Sequence, residues 1–100
     1  MHINAMNGLE IRFIEDTDPF FESRLKLHVD QLQDAQGCLG YALSRSAHEP
    51  CLWILSGHWA SACEMTEHFA SSAMSALISF LIESGANLTF VSFITPQAEH

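Results

Sequence analysis

The residues best suited to chemistry lie in the second half of the chain. Trp53, Gly57 and Trp59 fall on one side of the run from Cys51 to Trp59, which alternates as a strand does. Glycine between two indoles removes a side chain. The tryptophans can then frame a slot where a flat ring gains stacking and apolar burial. Further on, His68 follows Glu64 by one helical turn. A histidine at a pocket edge can take the proton of a phenol, and a nearby carboxylate would raise its pKa. Each feature also has a plainer reading. The tryptophans can be ordinary sheet–helix core, with Gly57 relieving crowding or marking a bulge. His68 can be a half-exposed residue paired with the glutamate.

The other polar candidates are weaker. His58 neighbours Trp59 but points to the opposite side of the strand. Tyr41 and His28 read as core residues with a satisfied polar end, and Asn4 and Asn7 as turn residues. His48-x2-Cys51 and Cys63-x4-His68 have no matching second pair at zinc-finger spacing, and His2 and His100 sit near the termini. No metal site is expected. No glycine-rich phosphate loop, G-x-S-x-G elbow or H-E-x-x-H is present.

Periodicity supplies the elements that must hold these residues. Leu9, Ile11 and Phe13 alternate with Glu10 and Arg12, predicting a strand with one buried face. Asp18-Pro19 reads as an N-cap followed by a first-turn proline, and Phe21, Leu25, His28, Val29 and Leu32 then recur at helical spacing. Gly37 closes that helix. A strand through Leu39, Tyr41 and Leu43 is joined by a loop, Ser46 to Pro50, to the strand Cys51 to Trp59. Ser61-Ala62-Cys63-Glu64 is a capping box that starts a second helix, bent or broken at Ala70-Ser71-Ser72. The next piece carries Met74, Leu77, Ile78, Leu81 and Ile82 as one stripe and stops at Gly85. A last strand, Leu88 to Ile94, ends before Pro96.

The predicted order is β-α-β-β-α-β, an α+β ferredoxin-like fold with an antiparallel sheet. Helices cover one face of such a sheet. The other face is still apolar here, and packing it on a second copy would close two sheets into a dimeric α/β barrel.

Composition agrees with self-association. Of 100 residues, 48% are hydrophobic and 16% charged, where ordinary domains have roughly a quarter charged. The length suits one domain, 1–100, with a core at about residues 8–95. A net charge of -8, with Arg12, Arg24, Lys26 and Arg45 scattered, argues against nucleic acid or an anionic membrane surface as partner. The apolar run near Ala73 to Ile82 is too short to span a bilayer. The three cysteines are an odd number and no secretory signal opens the chain. A reduced, cytoplasmic protein is expected.

The stretch Gly37-Cys38-Leu39-Gly40-Tyr41, then Trp59-Ala60-Ser61, then Glu67-His68-Phe69 resembles the antibiotic biosynthesis monooxygenase family. The likeness spans about residues 8–95. It implies a small dimeric α/β-barrel protein. One branch of that family comprises cofactor-independent oxygenases that convert phenols or quinols to quinones. There the strand tryptophan, here Trp59, has an asparagine four residues before it and a tyrosine six after, positions held here by Leu55 and Met65. A second branch degrades heme. Its asparagine before the first strand is matched by Asn7, its functional helix tryptophan by His68, and its axial histidine falls near Ile78. Isoleucine cannot ligate iron, so heme degradation is not expected.

The resemblance thus implies a cofactor-independent monooxygenase acting on a small aromatic phenol or quinol. His68 and Trp59 would be catalytic, and Trp53, Gly57, Met65 and Asn7 would bind substrate. The alternative is a non-catalytic dimer that binds a small ligand or regulates.

Overall fold

A computed structural model describes residues 2–15 and 18–95. Pro96, expected to end the last strand, and His100 lie outside the described residues. The elements are β1 (Ala5–Arg12), α1 (Phe21–Leu32), β2 (Cys38–Arg45), β3 (Leu52–Trp59), α2 (Ala62–Phe69), α3 (Ser72–Glu83) and β4 (Asn87–Ile94). The strands form one antiparallel sheet in the order β2-β3-β1-β4. This is the ferredoxin-like α+β arrangement, with its second helix split in two.

Alternation decides which side of the sheet the helices cover. Leu9 and Ile11 on β1, with Trp53, Leu55 and Trp59 on β3, face the helices and are buried. Phe21, Leu25, Val29 and Leu32 of α1 and Met74, Leu77 and Leu81 of α3 close over them. Each such side chain contributes on the order of 1.5–3 kcal/mol by leaving water. Ile82, expected to share the α3 stripe, is instead 60% exposed. It lies a further residue round the helix, beyond the arc that meets α1 and the sheet.

Local chemistry sets the helix ends. The first helix starts later than expected: its N-cap is Phe20, without a side-chain cap. Asp18 instead organises the preceding turn, its carboxylate accepting from Phe20 N at 2.8 Å. Ser61 caps α2 as expected, its hydroxyl accepting from Glu64 N at 3.2 Å. The same hydroxyl lies 3.0 Å from the Glu64 carboxylate and donates to it. Ser71 then caps α3 by accepting from Met74 N, so the serine cluster divides one helix into two.

The face away from the helices is only half covered. Met6, Glu10, Ile54, Val91 and Phe93 surround a shallow hollow of about 200 Å³ there. Edge strand β4 leaves Phe90, Val91, Phe93 and Ile94 each between 43% and 65% exposed. No helix among the described residues is long and apolar enough to cross a membrane.

Candidate active site

A second, smaller core cluster lies at the Trp59 end of the sheet, where α2 crosses it. It holds Ala5, Trp59 and Met65, with Tyr41 packed against them. The two buried polar residues of the described chain, Asn7 and His68, are found here as well, at 5% and 4% exposure. Burial of uncharged polar groups is tolerated when they are hydrogen-bonded, and these are joined through Tyr41.

The indole Nε1–H of Trp59 donates to Asn7 Oδ1 at 2.7 Å. Indole nitrogen is only a donor, so this contact fixes which amide atom of Asn7 is the oxygen. The amide nitrogen is thereby turned toward Tyr41, donating to its hydroxyl at 3.4 Å. That hydroxyl lies 2.8 Å from His68 Nε2. The rings are close as well: Trp59 and His68 centroids are 4.7 Å apart, and Tyr41 meets Trp59 edge-on at 6.2 Å. Trp59, Asn7, Tyr41 and His68 thus form one chain of polar contacts across β3, β1, β2 and α2.

Gly57 makes the chain possible. A Cβ there would overlap Asn7 Oδ1 and sit 2.8 Å from the Tyr41 ring. The space above this glycine, expected to be a slot for a flat ligand, is filled by the protein's own amide and phenol. Trp53 does not share the site. It packs with Phe21 at 6.0 Å in the main core, with the Arg45 guanidinium 5.1 Å from its ring, and its Nε1 has no hydrogen-bond partner. Met65 is buried against Trp59.

Two expectations about single residues are corrected. His68 is not half-exposed but buried, with Met65, on the inner side of α2, whereas Phe69 is exposed. Its pKa is lowered by burial, not raised by Glu64, whose carboxylate is held by Ser61. His68 is therefore neutral near pH 7, with Nδ1 buried and unpartnered. Asn7 is the third residue of β1, not a turn residue before it. Tyr41, read from sequence as a core residue with a satisfied polar end, is the hub of the network. Its pKa is pushed up to about 12, chiefly by burial, with the Asn7 hydrogen bond opposing. Its signal was latent in the alternation, since Tyr41 and Gly57 pair directly across β2 and β3.

Beside the network is an apolar cavity of about 320 Å³ lined by Phe69, Met74, Ile78, Phe90, Val91 and Ser92. Ser92 is the β4 partner of Asn7 and Phe69 follows His68, so cavity and network adjoin. No histidine lines it, and Ile78 occupies the position expected for an axial ligand. The residues do not fit a bound heme. Among the described residues no group of three or more His, Cys, Asp or Glu side chains is placed to hold a metal ion.

The family model for the antibiotic biosynthesis monooxygenases matches residues 6–79. The chain belongs to that family. Solved structures share the fold at low identity. A Deinococcus radiodurans protein classed with these monooxygenases has a TM-score of 0.81 and 16% identity, covering 96% of each chain. A Pseudomonas aeruginosa protein has a TM-score of 0.74 and 18% identity, covering 94% of this chain and 95% of its own. SnoaB, a cofactor-independent oxygenase from Streptomyces nogalater, solved as an asparagine-to-alanine mutant, has a TM-score of 0.76 and 11% identity. That match covers 96% of this family member and 97% of SnoaB. No curated protein sequence matches at a significant level.

Two predictions follow from the network. Gly57→Ala should destabilise the fold by about 1–3 kcal/mol, the usual cost of overpacking, and disturb the Tyr41 and His68 ring resonances. Chemical denaturation with NMR checks both; an unchanged midpoint contradicts the packing described. Stability should also fall at both pH extremes. The folded state resists protonating His68, so acidification below its ordinary value of 6.5 favours the unfolded chain until the lowered folded pKa is reached. Likewise the folded state resists ionising Tyr41, so stability declines as pH rises from 10 toward about 12. Denaturant midpoints measured against pH, with Tyr41→Phe lacking the alkaline decline, test this.

Proposed function

We propose that this family member is a cofactor-independent monooxygenase that oxidises a small aromatic phenol or quinol in the cavity between α3 and β4. The observation that carries the proposal is an apolar cavity adjoining a buried chain of hydrogen-bonding groups that ends on a neutral histidine. Apolar walls hold a flat ring, and a few placed polar groups fix its hydroxyl.

In this reading the ring lies against Phe69, Ile78 and Phe90. The Asn7 amide, which has a second N–H beyond the one directed at Tyr41, orients the substrate oxygen. His68 is the proton acceptor, reached through the Tyr41 hydroxyl it bonds, since a neutral imidazole can take a proton and a charged one cannot. Loss of the phenolic proton leaves an electron-rich anion that reacts directly with oxygen. One oxygen atom enters the ring, the other leaves as water, and the phenol becomes a quinone. Trp59 holds Asn7 in register by its 2.7 Å bond. Gly57 and Met65 shape the same cluster, whereas Trp53 supports the main core and takes no part at the reacting centre.

We further propose that the single domain works as a homodimer, its open sheet face covered by a second copy. Met6, Ile54, Val91 and Phe93 on that face support this, because exposed apolar patches mark interaction surfaces. The weak basic content supports a partner that is neither nucleic acid nor membrane, and the cysteines, present as thiols, support a reducing, cytoplasmic setting. A non-catalytic ligand-binding or regulatory dimer is the second reading, favoured by Leu55 and Met65 at the positions where oxygenases of the family carry asparagine and tyrosine.

Metal-free protein should consume oxygen with a panel of quinols and naphthols. His68→Ala should lower the rate at least about 100-fold, the scale of a lost acid–base group. Trp59→Phe should lower it less, by freeing Asn7. No turnover above buffer with any substrate would leave the ligand-binding reading. In sedimentation the chain should run as a dimer at micromolar concentration; a monomer contradicts the covered face.

A further inference from the structure

His68 touches two different surroundings. Its Nε2 meets the Tyr41 hydroxyl at 2.8 Å. The same residue also lines a second cavity, of about 250 Å³, with Ala35, Gln36, Glu64, Glu67 and Ser71. This space lies between α2 and the α1–β2 connection and is bordered by carboxylates, unlike the apolar substrate cavity. Nδ1 has no partner among the protein groups although the residue is 4% exposed. A buried polar atom without a partner calls for an explanation, and an ordered water is the ordinary one.

The geometry points to His68 as the middle of a proton path from Tyr41 to this acid-lined cavity, by which a substrate proton leaves through α2. The inference rests on the proposed function for its substrate, though the path itself is a property of the ligand-free protein. Tyr41 and His68 are both neutral near pH 7, as such a path requires. At rest Tyr41 donates to Nε2, so the ring proton is on Nδ1.

The transfer balances without any redox partner. The substrate O–H bond breaks and its proton goes to the Tyr41 oxygen. Tyr41 releases its own proton to Nε2, and the Nδ1–H bond breaks toward water in the cavity. That proton passes to Glu64 or Glu67 and from there to solvent. Tyr41 and His68 finish neutral, the ring in its other tautomer, and the substrate is an anion. The path avoids sending a hydrated proton back through apolar walls, where an unpaired charge is costly.

The groups around His68 are few. On its own helix Glu64 and Glu67 are the charged ones, β2 supplies Tyr41, β3 supplies the uncharged Trp59, and the α1–β2 connection supplies uncharged Ala35 and Gln36. Gly37, with φ of 82°, lies against Glu64 and leaves no room for a side chain there. The carboxylate is thus kept at the cavity wall by backbone geometry as well as by Ser61.

The test uses the whole chain labelled with ¹⁵N-histidine and a Glu64→Gln, Glu67→Gln double variant, which keeps size and the Ser61 contact. Exchange of the His68 ring proton with water, measured by NMR saturation transfer without ligand, should slow by roughly tenfold in the variant, below the full effect of a positioned acid–base group. An unchanged rate, with the fold intact by circular dichroism, overturns the path. Anaerobic mixing with 1-naphthol then separates the two proposals. Slower naphtholate formation in the variant with unchanged binding supports the path in function. Equal rates in both proteins overturn its role in substrate ionisation. If the parent protein forms no naphtholate, the oxygenase reading fails, and the ligand-free exchange rate still decides the path.

Discussion

The hydrogen bond from the Trp59 indole to Asn7 Oδ1 is the contact on which the site depends. Because indole only donates, it leaves one orientation for the amide and sends the Asn7 nitrogen toward Tyr41. Tyr41 in turn meets His68, so a single directional bond orders four side chains from four elements. In a low-dielectric surrounding such a chain is rigid when satisfied and costly when broken. Gly57 is its steric condition. The pairing of Gly57 between Asn7 on β1 and Tyr41 on β2 gives both side chains the space a Cβ would have taken.

The helix-covered face of the sheet holds two kinds of environment, at different positions along the strands. Toward α1 and α3 the core is dry and apolar, and Trp53 belongs there with Phe21 and Leu25. Toward α2 the core is small and polar at its centre. Splitting the second helix at Ser71 allows this difference. The shorter α2 can lay His68 over Trp59 while α3 takes its own angle against α1 and leaves a cavity beside β4. Family membership fits that layout, and the low identity of the solved relatives means that the chemistry rests on this chain's own residues.

Much of the fold was legible because burial imposes period. Alternation marked β1 and β3, helical recurrence marked α1 and α3, the Ser61 capping box marked the start of α2, and the Ser71-Ser72 pair marked its division from α3. The departures have local causes. Asp18 served a turn rather than the helix, and Ile82 fell just outside the buried arc. The site was less legible. Trp59, Gly57, Met65, Asn7 and His68 were singled out and do converge, but Trp53 was drawn in by strand parity alone. Parity gives the face of a strand and not the position along it, and Trp53 lies far enough down β3 to enter the other core.

By itself the sequence determined the order of elements, the buried faces of β1 and β3, the Ser61 cap and the acidic charge, because these follow from near-neighbour spacing and residue chemistry. Tertiary structure alone decided that Asn7 faces Trp59, that Tyr41 bonds His68, and that the gap above Gly57 is filled from within. Those contacts join residues 27 to 52 positions apart. Their existence depends on strand register and on how α2 crosses the sheet, and no local period records either one.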